Sequence, residues 1–293
     1  MRSWSEHQKD IARLAACQLF FVGGAPRSGT TWLQQILDAH PDVCCRGEAL
    51  FQKHLADPLH SMMAQRSQEI GAKNTAFFRH TGGYPLPMPD DTEVLVGTAI
   101  LLALRQQTGG KPYLAVGEKT PENVFLFARL KRLFPQAKFI GIARDPRDVL
   151  ASAWHFFHRP TAGEDEVEAK TAFIRSAFGP LAEGARIMMA LAEHHPADCK
   201  IITYEALRGE PASIVAAMFR FLGVSDRDEV VSDCLARTSF ATLTRGRAIG
   251  EEERGSFYRK GVVGDWRSTV TPEMNQMILR ELGWMFPHFG WEP

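Results

Sequence analysis

The stretch FFVGGAPRSGTTWLQQILDAHP, residues 20–41, constrains the fold more than any other part of the chain. Its apolar start is typical of a buried strand, its glycines and small polar residues indicate a turn, and its apolar residues then recur at helical spacing. A strand that leads through a glycine-rich turn into a helix brings backbone N–H groups and the positive end of the helix dipole together. The stretch therefore predicts an anion-binding site at the start of this helix.

The turn lacks the lysine of a nucleotide triphosphatase loop. That loop requires Gly-Lys-Ser/Thr at the helix start, whereas here Gly29 is followed by Thr30 and Thr31. Arg27 is the cation of the turn, and Ser28 adds a third hydroxyl. No obvious aspartate follows one of the apolar strands to support Mg²⁺. These residues favour a phosphate-like oxyanion other than the β/γ-phosphates of ATP; an ordinary strand–helix turn is the alternative.

Composition argues against several classes of protein. Lys+Arg and Asp+Glu both number 34 in 293 residues, so net charge gives no preference for nucleic acid or an anionic membrane. No apolar run approaches the ~18 residues of a membrane span, and the polar N-terminus does not resemble a signal peptide. Five scattered cysteines without C-x-x-C spacing favour reduced thiols over a disulfide or zinc framework. We therefore expect a soluble cytoplasmic protein, with its oligomeric state open.

Strands and helices alternate along the chain. Apolar runs predict strands at 19–22, 112–119, 137–143 and 199–204. Periodicity and end signals predict helices at 1–17, 30–39, 92–107, 121–135, 145–157, 165–195, 211–222, 226–236 and 271–282. This alternation predicts an α/β fold whose central parallel sheet carries helices on both faces. Because no repeat or linker interrupts the pattern, residues 1–293 are predicted to form a single domain.

A second cation site is predicted beside the first loop. Arg144 follows the strand at 137–143, and Ser152 lies eight residues later, two turns into the next helix. Because ligands of open α/β sheets bind at the carboxyl ends of the strands, the two residues can hold a second anion. Lys119 ends another strand and is expected to face the same crevice. The alternatives are an arginine that caps a helix and a lysine solvated on a loop.

Five motifs in chain order resemble those of the sulfotransferases that use 3′-phosphoadenosine 5′-phosphosulfate (PAPS). PRSGTTWLQQILD is similar to their loop for the 5′-phosphosulfate, in the form found in bacterial and tyrosylprotein enzymes, with Arg27 where the cytosolic enzymes have lysine. The others are RDPRDVLAS, TYEAL, TSF and FYRKGVVGDW, and the matches span residues 20–268. The resemblance implies a P-loop-like sulfotransferase fold and sulfuryl transfer from PAPS, which leaves adenosine 3′,5′-bisphosphate, without a metal.

The resemblance also implies which residues bind the cofactor. Residues 27–31 would hold the phosphosulfate. Around the adenine it implies Trp32 and Phe240 at the faces and Tyr204 and Thr238 at the edge. For the 3′-phosphate it implies Arg144, Ser152, Arg259, Lys260 and Gly261. Charge-assisted hydrogen bonds contribute roughly 1.5–3 kcal/mol each, so Arg144 and Arg259 could dominate the affinity. The alternative is that Arg144 and Arg259 form weak ion pairs at the surface with the glutamates at 251–253.

Three residues are candidates for the chemistry. Sulfuryl transfer is similar to phosphoryl transfer, so Arg27 would stabilise the departing group and Lys119 could donate to the bridging oxygen. The cytosolic enzymes place a histidine base soon after this lysine, but KTPEN contains none. AHPDVCCRGEALF is similar to the branch that sulfates protein tyrosines and heparan sugars and uses a glutamate, which makes Glu48 the candidate base. Glu48 could instead cap a helix at Ala49. The other candidate bases are His54, His155 and His158.

No motif specifies the acceptor. Residues 52–110 and 158–170 match no family motif, and such segments usually shape an acceptor pocket, so 52–110 is predicted to act as a cap. Their apolar content favours a small aromatic or lipid-like alcohol over an anionic polysaccharide, unless these side chains belong to the core. Two other functions remain open. One is an ATP-dependent, kinase-like phosphoryl transferase, and the other is a protein that binds PAPS or another nucleotide without turnover.

Overall fold

A computed structural model describes residues 3–111, 113–253 and 256–293. At its centre five parallel strands form one sheet in the order β2-β3-β1-β4-β5. The strands are β1 (Gln18–Gly24), β2 (Val43–Cys45), β3 (Ala115–Lys119), β4 (Lys138–Ala143) and β5 (Cys199–Thr203). Because all five run parallel, their carboxyl ends lie along one edge of the sheet, where ligands of open α/β sheets bind.

Helices connect the strands and cover both faces of the sheet. They are α1 (Trp4–Ala15), α2 (Thr30–Ala39), α3 (Asp57–Phe77), α4 (Pro89–Thr108), α5 (Phe127–Leu133), α6 (Pro146–Phe157), α7 (Glu166–His194), α8 (Tyr204–Gly209), α9 (Pro211–Phe221), α10 (Asp228–Arg237), α11 (Phe240–Leu243), α12 (Pro272–Leu282) and α13 (Met285–Phe289). Short turns of other types lie at Gln52–Ala56 (π), Pro121–Leu126 and Asp265–Ser268 (both 3₁₀).

Strand β1 is buried on both sides, so its successive side chains enter two different cores. Phe21 packs against Phe139 of β4, with 5.9 Å between ring centroids, in the core on the side of α7. Phe20 and Val22 join Leu33 of α2 in the core on the opposite face. Burial of each such side chain contributes roughly 1.5–3 kcal/mol. The packing therefore holds the carboxyl end of β1, and the loop that follows it, in a fixed position.

Most predicted elements are present within a few residues of their predicted bounds. The helix predicted at 30–39 has those bounds in α2, and the helix predicted at 165–195 is α7. The strand predicted at 112–119 is β3, which begins at Ala115; Pro112 lies outside the described residues. The central parallel sheet with helices on both faces agrees with the predicted fold class.

Five elements were not predicted, and each is short or has a weak sequence pattern: β2, α3, α8, α11 and α13. Strand β2 has only three residues at the edge of the sheet, too few for a periodicity to emerge. Helix α3 runs over 21 residues of the segment 52–110, but Met63 is its one buried residue among those described. A helix that buries so little has no continuous apolar stripe in its sequence. Among the described residues, no helix is both long enough and apolar enough to cross a membrane.

Candidate active site

The glycine-rich turn, residues 25–29, joins the carboxyl end of β1 to the start of α2. The Ser28 backbone N–H and hydroxyl both donate to the Ala25 carbonyl, at 3.1 and 2.6 Å, and close the turn. Gly29 is the N-cap of α2 and has no side chain to satisfy the first N–H groups of the helix. Gly29, Thr30 and Thr31, at the start of this helix, border a cavity at the sheet edge. This geometry suits an anion.

Two features of the structure at position 29 require a glycine there. Its φ of +97° lies in the left-handed region, which L side chains rarely adopt. A Cβ atom there would also lie 2.6 Å from the Tyr204 ring, closer than van der Waals contact allows. The ring of Tyr204, at the start of α8, packs edge-on to Trp32 of α2 with 6.1 Å between centroids. Glycine therefore lets an aromatic wall approach the start of α2.

Arg27 connects the two predicted anion sites. Its φ is 71°, unusual for a residue with a side chain. Its Nε donates to Ser152 Oγ at 3.2 Å, and one Nη donates to the Phe257 carbonyl at 2.7 Å. The guanidinium also lies 4.3 Å from the centre of the Phe156 ring. Burial, followed by the neighbouring cations Arg144 and Arg259, lowers the pKa of Arg27 to about 10, so it remains protonated at neutral pH.

Arg144, directly after β4, connects the glycine-rich turn to the segment around Val262. Its guanidinium donates to the Arg27 carbonyl at 3.1 Å and to the Val262 carbonyl at 3.0 Å. It lies 4.3 Å from the centre of the Tyr204 ring and 3.4 Å from an Asp148 carboxylate oxygen. The side chain is only 10% exposed. The alternative, in which this arginine pairs at the surface with the glutamates at 251–253, is therefore wrong.

Arg259 and Lys260 border the same cavity but already have acidic partners. Arg259 donates to Asp265 and, at 3.1 Å, to Glu252. Lys260 Nζ donates to Asp265 at 3.0 Å and lies 3.3 Å from Glu252. Burial favours a higher pKa for Asp265, but hydrogen bonds from Lys260 and Arg259 outweigh it and lower that pKa. The alternative in which Arg259 pairs with one of the glutamates at 251–253 is therefore observed, and the partner is Glu252.

Two cofactor residues predicted from the resemblance do not border this cavity in the described structure. Ser28 is fully buried, and its hydroxyl donates to Ala25 as described above. The Thr238 hydroxyl donates to the Cys234 carbonyl at 2.7 Å, at the C-terminal end of α10. The Thr238 carbonyl instead accepts from the Trp32 indole at 2.9 Å, which orients that ring. The others do border it, namely Arg27, Gly29, Thr30, Thr31, Trp32, Arg144, Ser152, Tyr204, Phe240, Arg259, Lys260 and Gly261.

Six further residues, which were not predicted from the sequence, border the cavity. They are Arg208, Leu243, Phe257, Tyr258, Val262 and Asp265. Four of them lie inside the motif FYRKGVVGDW. The sequence therefore identified the motif but not all of its residues that border the cavity. Arg208 lies one helical turn after Tyr204, and its guanidinium is 5.6 Å from the centre of a Trp32 ring. That spacing on α8 is the signal that could have identified it.

Lys119 and Glu48 meet beside the cavity, although 71 residues separate them in sequence. Lys119 ends β3 and is 2% exposed, so the solvated-lysine alternative is wrong. Its Nζ donates to the Thr31 hydroxyl at 3.0 Å and to the Glu48 carboxylate. Glu48 is 42% exposed, and no helix begins at Ala49 in the described structure, so the helix-cap alternative is wrong as well. A buried cation and an accessible carboxylate thus lie together at the sheet edge.

The three histidines lie elsewhere among the described residues. His54 is exposed on the π turn. His155 Nε2 is 3.2 Å from the Thr269 hydroxyl, and burial, then Arg259, lowers the pKa of this histidine. His158 stacks on Trp154 with 3.6 Å between ring centroids, and its Nε2 lies 2.7 Å from a Glu164 carboxylate oxygen. None of these three side chains borders the cavity just described.

A second cavity of about 190 Å³ adjoins the first, because Arg144 borders both. Its wall combines the end of β1, the 3₁₀ turn after Lys119, α7 and α13. Most of the wall is apolar, with Pro26, Val124, Phe125, Leu181, Met188 and Met285 as its larger members. The described lining residues include none from 52–110 or 158–170, the segments predicted to shape an acceptor pocket.

A parallel sheet with clustered cations, hydroxyls and a helix start at its carboxyl edge defines an α/β protein that binds anionic ligands. A family model described as "Sulfotransferase family" matches residues 20–228, well over half of the chain. The chain therefore belongs to the sulfotransferase family, and the family resemblance seen in its motifs is confirmed.

Two relatives illustrate the range of the family. A Caenorhabditis briggsae protein whose name assigns it to the protein-tyrosine sulfotransferases is 30% identical over 207 residues, 70% of this chain and 65% of that protein. Cytosolic sulfotransferase 17 of Arabidopsis thaliana is 29% identical over 158 residues, 47% of this chain and 46% of that protein. The matches thus span about half to two thirds of the length of these relatives.

Among solved structures, a mouse sulfotransferase complexed with PAP has a similar fold. The TM-score is 0.57 at 16% sequence identity, over 95% of this chain and 88% of that one. At this identity the likeness concerns the fold alone. It confirms the predicted class, a single α/β domain with a central parallel sheet.

Proposed function

We propose that this protein transfers a sulfuryl group from PAPS to a hydroxyl group and releases adenosine 3′,5′-bisphosphate. One observation carries the proposal: two sets of anion-binding groups meet in a single cavity with an aromatic wall. The start of α2 forms one set, and Arg144, Ser152 and the Arg259–Lys260 pair form the other. A nucleotide with anionic groups at both its 5′ and 3′ positions is complementary to this arrangement.

The residues of the cavity fit such a nucleotide. Within the described structure, the Nε atoms of Arg144 and Arg259 are buried without a hydrogen-bond partner. Buried unsatisfied N–H donors are unfavourable, and an anionic ligand would satisfy them. Gly261 has a φ of +66°, and a Cβ there would lie 2.7 Å from the Phe240 ring, so glycine brings backbone close to that ring. Trp32 and Phe240 then flank the base, as the family resemblance implies.

Lys119, Thr31 and Glu48 support the chemistry. Bound PAPS supplies the sulfuryl group, whose bond to the phosphate oxygen breaks as its bond to the acceptor oxygen forms. Glu48 takes the proton of the acceptor hydroxyl. Lys119, held by Thr31, stabilises the negative charge that develops on the leaving oxygen. Arg27 adds a protonated guanidinium on the donor side.

The acceptor is a small molecule with an apolar body, and the second cavity supports this choice. A dry apolar cavity of about 150 Å³ can hold a benzene molecule, so about 190 Å³ suits a ring or a short lipid-like chain. This cavity is close in sequence to residues proposed for the chemistry. Pro26 in its wall precedes Arg27, and Glu122 in its wall follows Lys119 by three residues. The role of residues 52–110 as a cap stays a prediction.

Protein tyrosine is the second candidate acceptor. The name of the Caenorhabditis briggsae relative favours it, and a tyrosine side chain is itself a phenol on an apolar ring. A cytoplasmic location also stays a prediction, supported by the name of the Arabidopsis thaliana relative, a cytosolic sulfotransferase.

A transfer assay with radiolabelled PAPS tests the proposal. The acceptor panel comprises phenols, aliphatic alcohols and tyrosine-containing peptides, with Lys119→Ala as the inactive control. Transfer to phenols or alcohols is the expected result, and transfer to peptides alone would favour the second acceptor class. Activity that requires ATP and Mg²⁺ would identify a phosphoryl transferase. Tight bisphosphate binding without transfer to any acceptor would identify a binding protein.

A further inference from the structure

The buried carboxylate of Glu118 is bonded to the segment that carries Glu48. Glu118 belongs to β3 and is only 1% exposed. One of its oxygens accepts from the Ala49 backbone N–H at 2.7 Å and from the Thr120 hydroxyl at 2.6 Å. The other accepts from the Asn123 amide at 2.6 Å. A carboxylate so far from solvent is tolerated because several donors satisfy it.

Thr120 adds a second bond to the same segment. Its hydroxyl oxygen accepts from the Leu50 backbone N–H at 3.2 Å. The chain is still extended at Thr120, with φ −123° and ψ 132°, so Glu118 and Thr120 project to one side and Lys119 to the other. Glu118 of β3 and Thr120 just after the strand therefore bind two consecutive N–H groups, at residues 49 and 50, while Lys119 binds the side chain of Glu48.

The segment needs such support because its backbone does not belong to a helix or a strand. Gly47 has a φ of 57° and Leu50 a φ of 51°, a conformation that is unfavourable for a leucine. The Glu48 side chain between them is exposed to solvent on one side. Bonds to the rigid end of β3 restrict the conformations that this short segment can adopt. Neither Glu118 nor Thr120 is among the described residues that border the two cavities.

We propose that Glu118 is a positioning residue, which acts together with Thr120 to hold Glu48 against Lys119. This inference rests on the proposed function, in which Glu48 accepts the proton of the acceptor. Burial raises the pKa of Glu118, but the bonds from Thr120, Ala49 and Asn123 oppose that shift, as expected of a carboxylate used as an acceptor. The role is indirect, since Glu118 reaches the substrate only through Glu48.

The first test compares Glu118→Ala with Glu118→Gln. Displacement of a catalytic group by about 1 Å can reduce turnover roughly 10²-fold, so Glu118→Ala should lower kcat by that order. Affinity for adenosine 3′,5′-bisphosphate should stay within about 3-fold of wild type, since the cavity loses no group. Glu118→Gln keeps an oxygen for the Ala49 N–H and should recover at least about 10-fold of the lost turnover. Equal kcat for the two variants would overturn the proposal.

A double-mutant cycle shows whether Glu118 acts through Glu48. In the background of Glu48→Gln, the further change Glu118→Ala should lower kcat by no more than about 3-fold, because the group that it positions is already absent. The same roughly 10²-fold loss in both backgrounds would overturn this inference while leaving the proposed function intact. Normal turnover in Glu48→Gln alone would refute the role of Glu48 as base, and this inference with it.

Thr120 supplies a test that does not depend on the folding of Glu118→Ala. Thr120→Val removes the hydroxyl at constant size, and Thr120→Ser retains it. We expect Thr120→Val to lower kcat about 10-fold and Thr120→Ser to stay within about 3-fold of wild type. Thr108→Val is the matched control, because the Thr108 hydroxyl is also buried and, among the described residues, donates within its own helix, at 2.8 Å to the Arg105 carbonyl. Equal kcat for Thr120→Val and Thr120→Ser would count against the proposal.

Discussion

The two ends of the candidate site are built in different ways. At one end, Lys119 is the last residue of a buried strand, and its partners Thr31 and Glu48 are held by α2 and by the segment bonded to Glu118. At the other end, Arg259 and Lys260 belong to a segment without helix or strand, and both are paired with acidic side chains. The strand end is already organised in this structure, whereas under the proposed function the segment around Arg259 would exchange carboxylate partners for phosphate.

This difference separates chemistry from affinity. A preorganised group stabilises developing charge without rearrangement at the moment of reaction, which is what catalysis requires. Ion pairs that must first be broken reduce the net gain from binding a phosphate. Changes at the Lys119 end should therefore act mainly on turnover, and changes at the Arg259 end mainly on nucleotide affinity. The predictions below test this division.

The largest effect is expected for Glu48→Gln. The variant keeps the shape of the side chain but cannot accept a proton, so turnover should fall by about 10²–10⁴. Affinity for the bisphosphate, measured by calorimetry, should be unchanged. The loss should shrink for acidic phenols, which need less help to lose a proton. Glu69→Gln, on the exposed surface of α3, is the matched control. Near-normal turnover on a poorly acidic alcohol would instead favour a histidine base.

Arg27→Ala is expected to have the next largest effect. In the proposed function the guanidinium stabilises charge on the donor side, and loss of one such donor typically lowers turnover roughly 10²–10³-fold. Because its role does not involve the acceptor proton, the loss should be the same for phenols of high and low pKa. Since Arg27 also bonds Ser152, nucleotide affinity should fall too, unlike in Glu48→Gln. Arg186→Ala, on the exposed side of α7, is the control. A loss that depends on acceptor acidity would contradict this assignment.

A smaller effect, on affinity alone, is expected for Arg144→Ala. In the wild type, adenosine 3′,5′-bisphosphate should raise the melting temperature well above the effect of AMP at equal concentration, since the 3′-phosphate has its own site. Removal of Arg144 should weaken bisphosphate binding about 10–100-fold, equivalent to one charge-assisted contact of roughly 1.5–3 kcal/mol. AMP binding should change little. Arg220→Ala, an exposed ion-pair variant, is the control. Equal shifts from both nucleotides in the wild type would refute a separate 3′-phosphate site.

The smallest effect is expected for Glu252→Gln, and it should have the opposite sign. Glu252 pairs with both Arg259 and Lys260, and its loss leaves these cations freer to bind phosphate. Because Glu252 is partly exposed, the gain in bisphosphate affinity should be only about 2–5-fold. Titration calorimetry at increasing salt should show the gain shrink, since surface charges are screened. The control is Glu229→Gln in the first turn of α10. Weaker binding in Glu252→Gln would mean that the acid supports the segment rather than competing for its cations.

The elements with strong local signals were predictable from sequence. Helix α2 has Gly29 before it, apolar residues at helical spacing and His40-Pro41 after it, so both of its ends could be located. The four longer strands each overlap a predicted strand, and β1 and β4 are the most apolar of them. Strand β2 was missed because three residues carry no periodic signal. Helix α3 was missed because it buries almost nothing among the described residues. Local pattern therefore predicted the sheet but not its short edge strand.

The sequence alone determined the order of the motifs, the fold class and the family, because glycines, cations and hydroxyls at fixed short spacings express local requirements of backbone and charge. The tertiary structure decided which of these residues meet. Arg27 reaches Ser152 across 125 residues of sequence, and Lys119 reaches Glu48 across 71. The physical reason is that parallel strands end at one edge of the sheet, wherever they lie in the sequence. The side chains at that edge become neighbours only after the sheet has formed.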